Sequence, residues 1–419
     1  MTLARDGGTP VRDTPFPTFA DASGRTFGPE EVAALADVVG RGTLWRVGGV
    51  EVAALEREFA AFLGLPHAVA STSGTAALHL AVAAVDPEPG DEVVVPPITD
   101  FGTVIAVLAA GAVPVFADVD PVTGCLTPET VEAAITDRTR AVIVVHLFGG
   151  PAPVDGIARI CRARNVTVIE DCAQAYLTES QGLAGLTDSR GLAGTRGDIG
   201  CFSLQQSKHI TAGDGGLTVT ADPHLAGRMR LFADKGWPRD TNERTHLFLG
   251  FNYRMTELVG AVARVQLTRL TGVVDARRAV ARRLNDGLDG LPGLTTPTLD
   301  GHSFWLYPLV VDPAVLGTNR EFGAALVAEG LPVTPGYLDR PVHLVPALTE
   351  RRTFGTSGFP LTSPPASRDM RYARGDCPVA ERMIDETLLV VACNERFTDT
   401  DVADLVEGIT KVHAAFTTN

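Results

Sequence analysis

Lysine is scarce in this chain, which contains only three among 36 basic residues: Lys208, Lys235 and Lys411. Arginine cannot lose its proton in a protein, so a chain that uses arginine for surface charge can keep a lysine where a neutral amine is needed. Lys208 follows a predicted strand and precedes the turn Gly213-Asp214-Gly215-Gly216. Burial there would lower its pKa and predicts an amine that can attack an aldehyde, with a solvated surface lysine as the alternative. The other two lysines are predicted to lie in a surface loop and on the polar face of the last helix.

Acidic residues follow an apolar strand predicted from Val166 to Ile169, in the run Glu170-Asp171-Cys172-Ala173-Gln174. A carboxylate at such a strand end can keep a pyridine nitrogen protonated, which turns a bound pyridoxal ring into an electron sink. An aspartate that caps a turn is the alternative, and on this segment alone it stays open.

Small polar residues, Ser71-Thr72-Ser73-Gly74-Thr75, lead directly from a strand into an apolar helix. The first N–H groups of a helix have no partner within it, and the helix dipole favours an anion there. The segment therefore predicts a phosphate site, with simple helix capping as the alternative.

Short β-branched runs alternate with amphipathic stretches between about residues 50 and 220, which is typical of βαβ units. Several runs are apolar at every position, as expected for a mostly parallel sheet covered by helices on both faces. Such sheets bind ligands at the carboxyl ends of their strands. The predicted strands are His67 to Ser71, Glu92 to Val95, Val113 to Ala117, Ala141 to His146, Val166 to Ile169, Ile199 to Ser203 and Leu217 to Thr220.

A proline-free helical pattern from about residue 255 to 290 predicts a long helix that leaves the large domain. Beyond it we predict a strand at Phe304 to Val311, a helix at Glu321 to Ala328 and a closing helix from about Thr400 to Ala414. The resulting division is an N-terminal segment 1–45, a large domain 46–265 and a smaller α+β domain 266–419.

The composition, with 419 residues, 45% hydrophobic and a net charge of −14, is that of an ordinary globular protein. The acidic balance argues against nucleic acid as a partner, and no apolar stretch reaches the roughly 20 residues of a membrane span. The first residues lack a signal-peptide pattern, and the six scattered cysteines favour reduced thiols over a metal or disulfide site. We therefore expect a cytoplasmic protein.

Four motifs in order resemble those of the DegT/StrS-type sugar and cyclitol aminotransferases. They are Ser73-Gly74-Thr75-Ala76-Ala77-Leu78, Glu170-Asp171-Cys172-Ala173-Gln174-Ala175, Ser203 with Lys208 and the Gly-Asp-Gly-Gly turn, and Asn252-Tyr253-Arg254-Met255-Thr256-Glu257-Leu258. The resemblance covers most of the chain and is densest between about residues 40 and 270. It implies a fold-type I enzyme that uses pyridoxal 5'-phosphate and works as a homodimer with active sites at the subunit interface.

Each site residue takes its role from this resemblance. Lys208 would bond covalently to the cofactor aldehyde, Asp171 would pair with the pyridine nitrogen, and Gln174 would contact the ring near its phenolic oxygen. Residues of both subunits would bind the phosphate: Gly74, Thr75 and Ser203 of one chain and Asn252 of the other. Taken alone, Asn252 is more typical of a loop or cap.

Two positions depart from the family pattern. Where relatives often place an aromatic ring over the cofactor, this chain has Asp100, and Phe101 is the alternative ring. Asp214 stands where glutamate is commoner. We interpret both as features that affect the choice of substrate.

Several further residues are weaker candidates for substrate contact, and packing or ion pairing is the alternative for each: Trp45, Arg46, Arg254, Tyr337 and His343. His146 ends a predicted strand that faces the site, and a structural histidine is favoured there over a catalytic one.

The implied reaction is transamination from glutamine or glutamate to a keto-cyclitol or keto-sugar, as in aminoglycoside-like biosynthesis, with Lys208 as covalent partner and general acid/base. A dehydratase or lyase that uses the same cofactor is one alternative, although relatives of that kind lack the lysine. The other is a cofactor-binding regulator without turnover, for which the sequence shows no DNA-binding appendage.

Overall fold

The computed structural model describes residues 2–180 and 191–418, and thirteen strands lie within these ranges. In chain order they are β1 (His67–Ser71), β2 (Glu92–Val95), β3 (Val113–Phe116), β4 (Thr139–Val145), β5 (Thr167–Asp171), β6 (Glu179–Ser180), β7 (Gly191–Leu192), β8 (Ile199–Ser203), β9 (Gly216–Thr220), β10 (Leu294–Thr295), β11 (Leu306–Val311), β12 (Val333–Pro335) and β13 (Leu388–Ala392).

Seven of these strands form one sheet in the order β1-β9-β8-β5-β4-β2-β3. Only β9 runs antiparallel to its neighbours, and the other pairs are parallel. The predicted mostly parallel seven-stranded sheet is confirmed. All seven predicted strands are present, with ends that differ by at most two residues.

The α-helices of the described residues alternate with these strands and cover the sheet. They are α1 (Pro29–Arg41), α2 (Glu51–Leu63), α3 (Gly74–Val85), α4 (Phe101–Ala109), α5 (Pro128–Ala134), α6 (Val154–Arg162), α7 (Pro223–Ala233), α8 (Glu257–Leu288), α9 (Pro313–Leu316), α10 (Asn319–Ala328), α11 (Pro346–Thr349), α12 (Pro378–Arg382) and α13 (Asp399–Thr417).

Successive residues of a strand point to opposite faces, and the core follows this rule. Val93 and Val95 of β2 pack in a cluster with α3 and α4, whereas Val94 packs in a second cluster with α6. Both faces of the sheet are therefore buried, which explains why its strands are apolar at every position.

Helix α8 connects the large sheet to a smaller antiparallel sheet of order β10-β11-β13-β12. Its second half contributes Val280, Leu284 and Leu288 to a core shared with β11, α10 and α13. The predicted long helix, strand and two later helices are all present, with shifted ends.

Residues 342–372, which we call the strap, cross back from the smaller sheet to the large one. Val342, Leu361 and Met370 belong to the same buried cluster as β2 and α4. The Tyr372 hydroxyl donates to the carbonyl of Pro114 on β3 at 2.7 Å. The strap therefore covers the β3 edge of the large sheet.

The segment before α1 runs along the smaller sheet and ends beside the Lys208 loop. Phe16 is buried in the core of the smaller sheet, and Arg12 forms an ion pair of 2.6 Å with Asp401 on α13. Arg25 reaches the loop that carries Lys208.

Among the helices within the described ranges, none is long and apolar enough to cross a membrane.

Candidate active site

The predicted chemical residues converge at the carboxyl ends of β1, β5 and β8. Gly74 follows β1, Asp171 ends β5, and Lys208 lies on the loop after β8. These three strands run in the same direction, so their ends meet at one edge of the sheet.

Lys208 is partly buried, and this burial lowers the pKa of its amine to about 8, against the opposing effect of the Asp171 and Asp100 carboxylates. Its Nζ lies 4.1 Å from the ring centroid of Trp305. An appreciable fraction of the amine is therefore neutral near physiological pH, as a nucleophile requires.

The other two lysines have different surroundings. Lys411 forms an ion pair of 2.8 Å with the buried Glu329 and donates to the carbonyl of Thr9. Lys235 lies in a loop with its Nζ 5.7 Å from the ring centroid of Trp237. Neither is close to a buried carboxylate at the strand ends of the sheet.

Asp171 is a buried carboxylate whose hydrogen-bond donors, among the residues that the structure describes, are neutral. Burial raises its pKa. Three influences oppose this rise: a hydrogen bond from the Ala173 N–H at 3.1 Å, another from the Thr103 hydroxyl at 3.0 Å, and the positive charge of Lys208. A protonated ring nitrogen beside it would offset the cost of burying its charge.

The start of α3 forms a cradle with the end of β8. A Cβ added at Gly74 would lie 2.7 Å from the Cβ of Ser203, so only glycine fits this approach. The Ser73 hydroxyl caps the helix through the Ala76 N–H at 3.0 Å, and the first intrahelical bond runs from Ala77 to Ser73. The N–H groups of Gly74 and Thr75 precede that bond, at the position where a helix start can bind an anion. Their binding of a phosphate stays a prediction.

Gln174 is held at both ends of its amide. Its Oε1 accepts from the Phe148 N–H at 2.7 Å, and its Nε2 donates to the Tyr337 hydroxyl at 3.2 Å. The amide nitrogen carries a second N–H, which leaves it one donor for a cofactor oxygen. Tyr337 thus lies next to a predicted cofactor residue.

Asn252 lies on the surface of its own chain. It is exposed, and its backbone forms an isolated bridge with Asp234. The role that the family resemblance implies for it, contact with the phosphate of a neighbouring subunit, stays a prediction.

The departure at position 100 has a structural reason. Asp100 is exposed and caps α4, where its Oδ1 accepts from the Gly102 N–H at 2.8 Å. Phe101 begins that helix and packs against the core cluster of α3 and α4. Its ring is engaged in packing, and whether it also stacks on the cofactor stays a prediction.

The two candidate histidines are both committed to protein partners. The Nδ1 atom of His146 accepts from the Ala152 N–H, and its Nε2 lies 2.9 Å from Glu170. His343 is fully buried, with its Nε2 3.1 Å from Glu381. Both are structural histidines here.

The arginine candidates line a separate cavity of about 720 Å³, together with Arg230, Arg239 and Trp237. Arg46 lies 2.7 Å from Glu56, and Arg254 pairs with Asp234. Trp45 is 53% exposed.

Sequence reasoning missed three residues around the site: Thr103, Trp305 and Arg25. Thr103 binds Asp171 from one turn into α4, and the other two contact the Lys208 loop from elements about 100 and 180 residues away in the sequence. No local pattern marks such contacts, because each depends on how distant elements pack.

The residues present fit pyridoxal phosphate. An amine with a lowered pKa, a buried carboxylate and a helix start that a glycine brings close to β8 match the aldehyde, the ring nitrogen and the phosphate. These groups all belong to one chain, and a contribution of Asn252 from a second chain stays a prediction.

Comparisons with known proteins agree with this geometry. The L-glutamine:2-deoxy-scyllo-inosose aminotransferase of Streptomyces kanamyceticus is 34% identical over 98% of this chain and 96% of its own length. The UDP-N-acetyl-3-dehydro-alpha-D-glucosamine 3-aminotransferase of Acidithiobacillus ferrooxidans is 42% identical over 80% of this chain and 81% of its own.

Among solved structures, the aminotransferase TlmJ of Streptoalloteichus hindustanus superposes with a TM-score of 0.78 at 32% identity, over 94% of this chain and 98% of that one. The profile of the DegT/DnrJ/EryC1/StrS aminotransferase family matches residues 26–410. The chain therefore belongs to this family of pyridoxal-phosphate-dependent aminotransferases.

Proposed function

We propose that this aminotransferase moves an amino group from glutamine or glutamate to a keto-cyclitol, with Lys208 as the reacting amine. The observation that carries the proposal is the position of Lys208 at the strand ends, with its pKa lowered to about 8 and Asp171 close enough to act on it. The relative from Streptomyces kanamyceticus, which is named for such a donor and acceptor, supports the choice of substrates.

Lys208 performs the proton transfers in this proposal. Bound pyridoxal phosphate supplies the electron sink that stabilises negative charge at the donor α-carbon. The neutral Lys208 amine would remove the α-proton of the donor. The cofactor would carry the amino nitrogen to the acceptor ketone, where Lys208 would return a proton to carbon. An amine with a pKa near 8 is suited to both directions.

The other site residues hold the cofactor. Asp171 would keep the ring nitrogen protonated, and its hydrogen bonds to Thr103 and Ala173 fix its orientation. Gly74, Thr75 and Ser203 would bind the phosphate, and the free N–H of Gln174 would point to the phenolic oxygen.

A homodimer completes the site in this proposal. Leu247, Leu249 and Phe251 are 56%, 83% and 42% exposed and directly precede Asn252. A second copy that covers this apolar segment would bring Asn252 to the partner's phosphate cradle.

We also place the protein in the cytoplasm, since all six cysteines are free thiols buried in the core.

A nucleotide-linked keto-sugar is the second candidate acceptor. The 42% identical relative is named for a UDP-sugar, and the 720 Å³ cavity carries four guanidinium groups that share the carboxylates of Glu56 and Asp234. If the acceptor is of this kind, Arg239→Ala should raise its KM and leave the KM of the amino donor unchanged.

Spectroscopy of the purified protein tests the proposal. Holoenzyme should be yellow, borohydride should fix the cofactor to the peptide that contains Lys208, and glutamine or glutamate should convert the spectrum to that of pyridoxamine phosphate. A protein that binds the cofactor but shows no change with any amino donor would refute transamination. The amino form should then be reoxidised by a keto-cyclitol, and a preference for nucleotide keto-sugars would select the second candidate.

A further inference from the structure

The main chain that carries Lys208 is held from outside by side chains of two distant elements. Three successive carbonyls, those of Gln206, Ser207 and Lys208, each accept a hydrogen bond from a side-chain N–H. Arg25 supplies the first and third, the third at 2.7 Å, and Trp305 supplies the second, also at 2.7 Å.

The buried position of the Arg25 guanidinium costs free energy of folding. Its side chain is only 2% exposed, its Nε has no hydrogen-bond partner among the described residues, and burial lowers its pKa to about 10. Burying an arginine whose desolvation is incompletely compensated costs stability.

Arg25 also belongs to a charged node that joins the segment before α1 to the smaller sheet. Its Nη1 lies 3.7 Å from Glu395, which in turn pairs with Arg277 on α8 at 2.7 Å. Arg277 donates to the carbonyls of Trp305 and Cys393 at 3.0 and 2.7 Å. The node thus fixes both donors, Arg25 and Trp305, relative to each other.

Trp305 contacts the Lys208 loop at two points. Its indole N–H donates to the Ser207 carbonyl, and its ring centroid lies 4.1 Å from the Lys208 Nζ. Lys208 is therefore contacted at its amine by Trp305 and at its own carbonyl by Arg25.

We propose that Arg25 and Trp305 are positioning residues that fix the Lys208 amine for proton transfer. The inference rests on the proposed function, because a positioning role presupposes that Lys208 transfers protons in the reaction. A displacement of about 1 Å at a reacting group can lower a rate by up to about 100-fold, so loss of these contacts should slow the lysine-dependent step more than it weakens binding.

The test compares Arg25→Met, Arg25→Lys and Trp305→Phe with a matched control, Arg278→Met. Arg278 also donates to two backbone carbonyls, those of His302 and Leu177, but not to the Lys208 loop. Glu395 keeps its pair with Arg277 in the Arg25 variants, so the fold should persist, and thermal unfolding checks this.

We expect kcat to fall about 10- to 100-fold in Arg25→Met, with the KM values for both substrates within about twofold. The kinetic isotope effect with α-deuterated donor should rise, because proton transfer by Lys208 becomes slower than the other steps. Arg25→Lys should retain part of the rate, Trp305→Phe should show the same pattern more weakly, and Arg278→Met should keep the wild-type isotope effect. The rate at which the folded apoprotein captures pyridoxal phosphate should fall in the same order.

Two results would overturn the inference and are distinguishable. If borohydride labels a residue other than Lys208 in the wild type, the proposed function fails and the positioning role fails with it. If the label is on Lys208 but Arg25→Met and Trp305→Phe keep the wild-type kcat and isotope effect, only the positioning role is wrong.

Discussion

The reactivity of Lys208 results from two opposing influences on one amine. Burial lowers its pKa, and the carboxylates of Asp171 and Asp100 raise it, with a net value of about 8. Because the charged form of an amine is the protonated one, the neutral fraction grows as the pH rises through this value. Substitution of a carboxylate therefore changes the pKa of Lys208 separately from its burial.

The rate at which the apoprotein captures pyridoxal phosphate should therefore rise with pH, with a midpoint near 8. In Asp171→Asn the carboxylate that favours the protonated amine is removed, so the midpoint should move to lower pH. Stopped-flow absorbance at a series of pH values measures both profiles. A midpoint that moves upward, or an unchanged one near the usual lysine pKa, would contradict this account of the site.

Lys208→Arg keeps a positive charge but removes the amine that can lose its proton. We expect transamination to fall at least about 10⁴-fold, since both the covalent bond and the proton transfer are lost. The half-reaction with glutamine, followed by absorbance, is the measurement. Lys235→Arg, a change in a surface loop, serves as the control and should retain the wild-type rate.

At the scale of elements, the close approach of α3 to β8 determines the shape of the phosphate cradle. Gly74 has no Cβ, and its neighbour is Ser203 on the end of β8. Gly272 on α8 has no atom within 4 Å of the position where its Cβ would lie, which makes it a matched glycine within a helix.

Gly74→Ala should force the helix start away from β8 and raise the cofactor Kd at least about tenfold, with a loss of about 1–3 kcal/mol in stability. Gly272→Ala should instead stabilise the protein by about 0.5–1 kcal/mol and leave the Kd unchanged. Equilibrium dialysis and denaturant unfolding give the two quantities. Equal effects of both changes on the Kd would show that the cradle does not bind the phosphate.

Elements were more predictable from the sequence than the contacts between them. The strands that end in Ser71, Asp171 and Ser203 are apolar runs bounded by polar residues, so their ends and the residues that follow could be inferred. Arg25 and Trp305 could not, because nothing near residue 25 shows that its guanidinium will meet residue 208. The sequence showed that Asp100 departs from the aromatic residue common in the family. Only the structure revealed that Asp100 caps α4.

At the scale of the whole molecule, the proposed function requires that two chains share their sites. Asn252 is exposed in its own chain, beside the apolar residues Leu249 and Phe251. The division into 1–45, 46–265 and 266–419 also stays a prediction, and the strap shows that residues from the last part pack directly on the large sheet.

Subunit complementation tests the shared site. Lys208→Ala and Asn252→Ala should each be inactive as homodimers, but a mixture unfolded and refolded together should regain about a quarter of wild-type activity, because each mixed dimer contains one site with both native residues. A mixture as inactive as its components would show that Asn252 acts within its own chain or not at all.

The strap has a consequence for how the protein is made. On the ribosome, β2, β3 and α4 are synthesised more than 200 residues before the strap side chains Val342, Leu361 and Met370 that cover them. Until these residues emerge, the nascent chain must leave that edge of its central sheet bare, which makes it a natural target for chaperones and a place where premature termination would lead to aggregation.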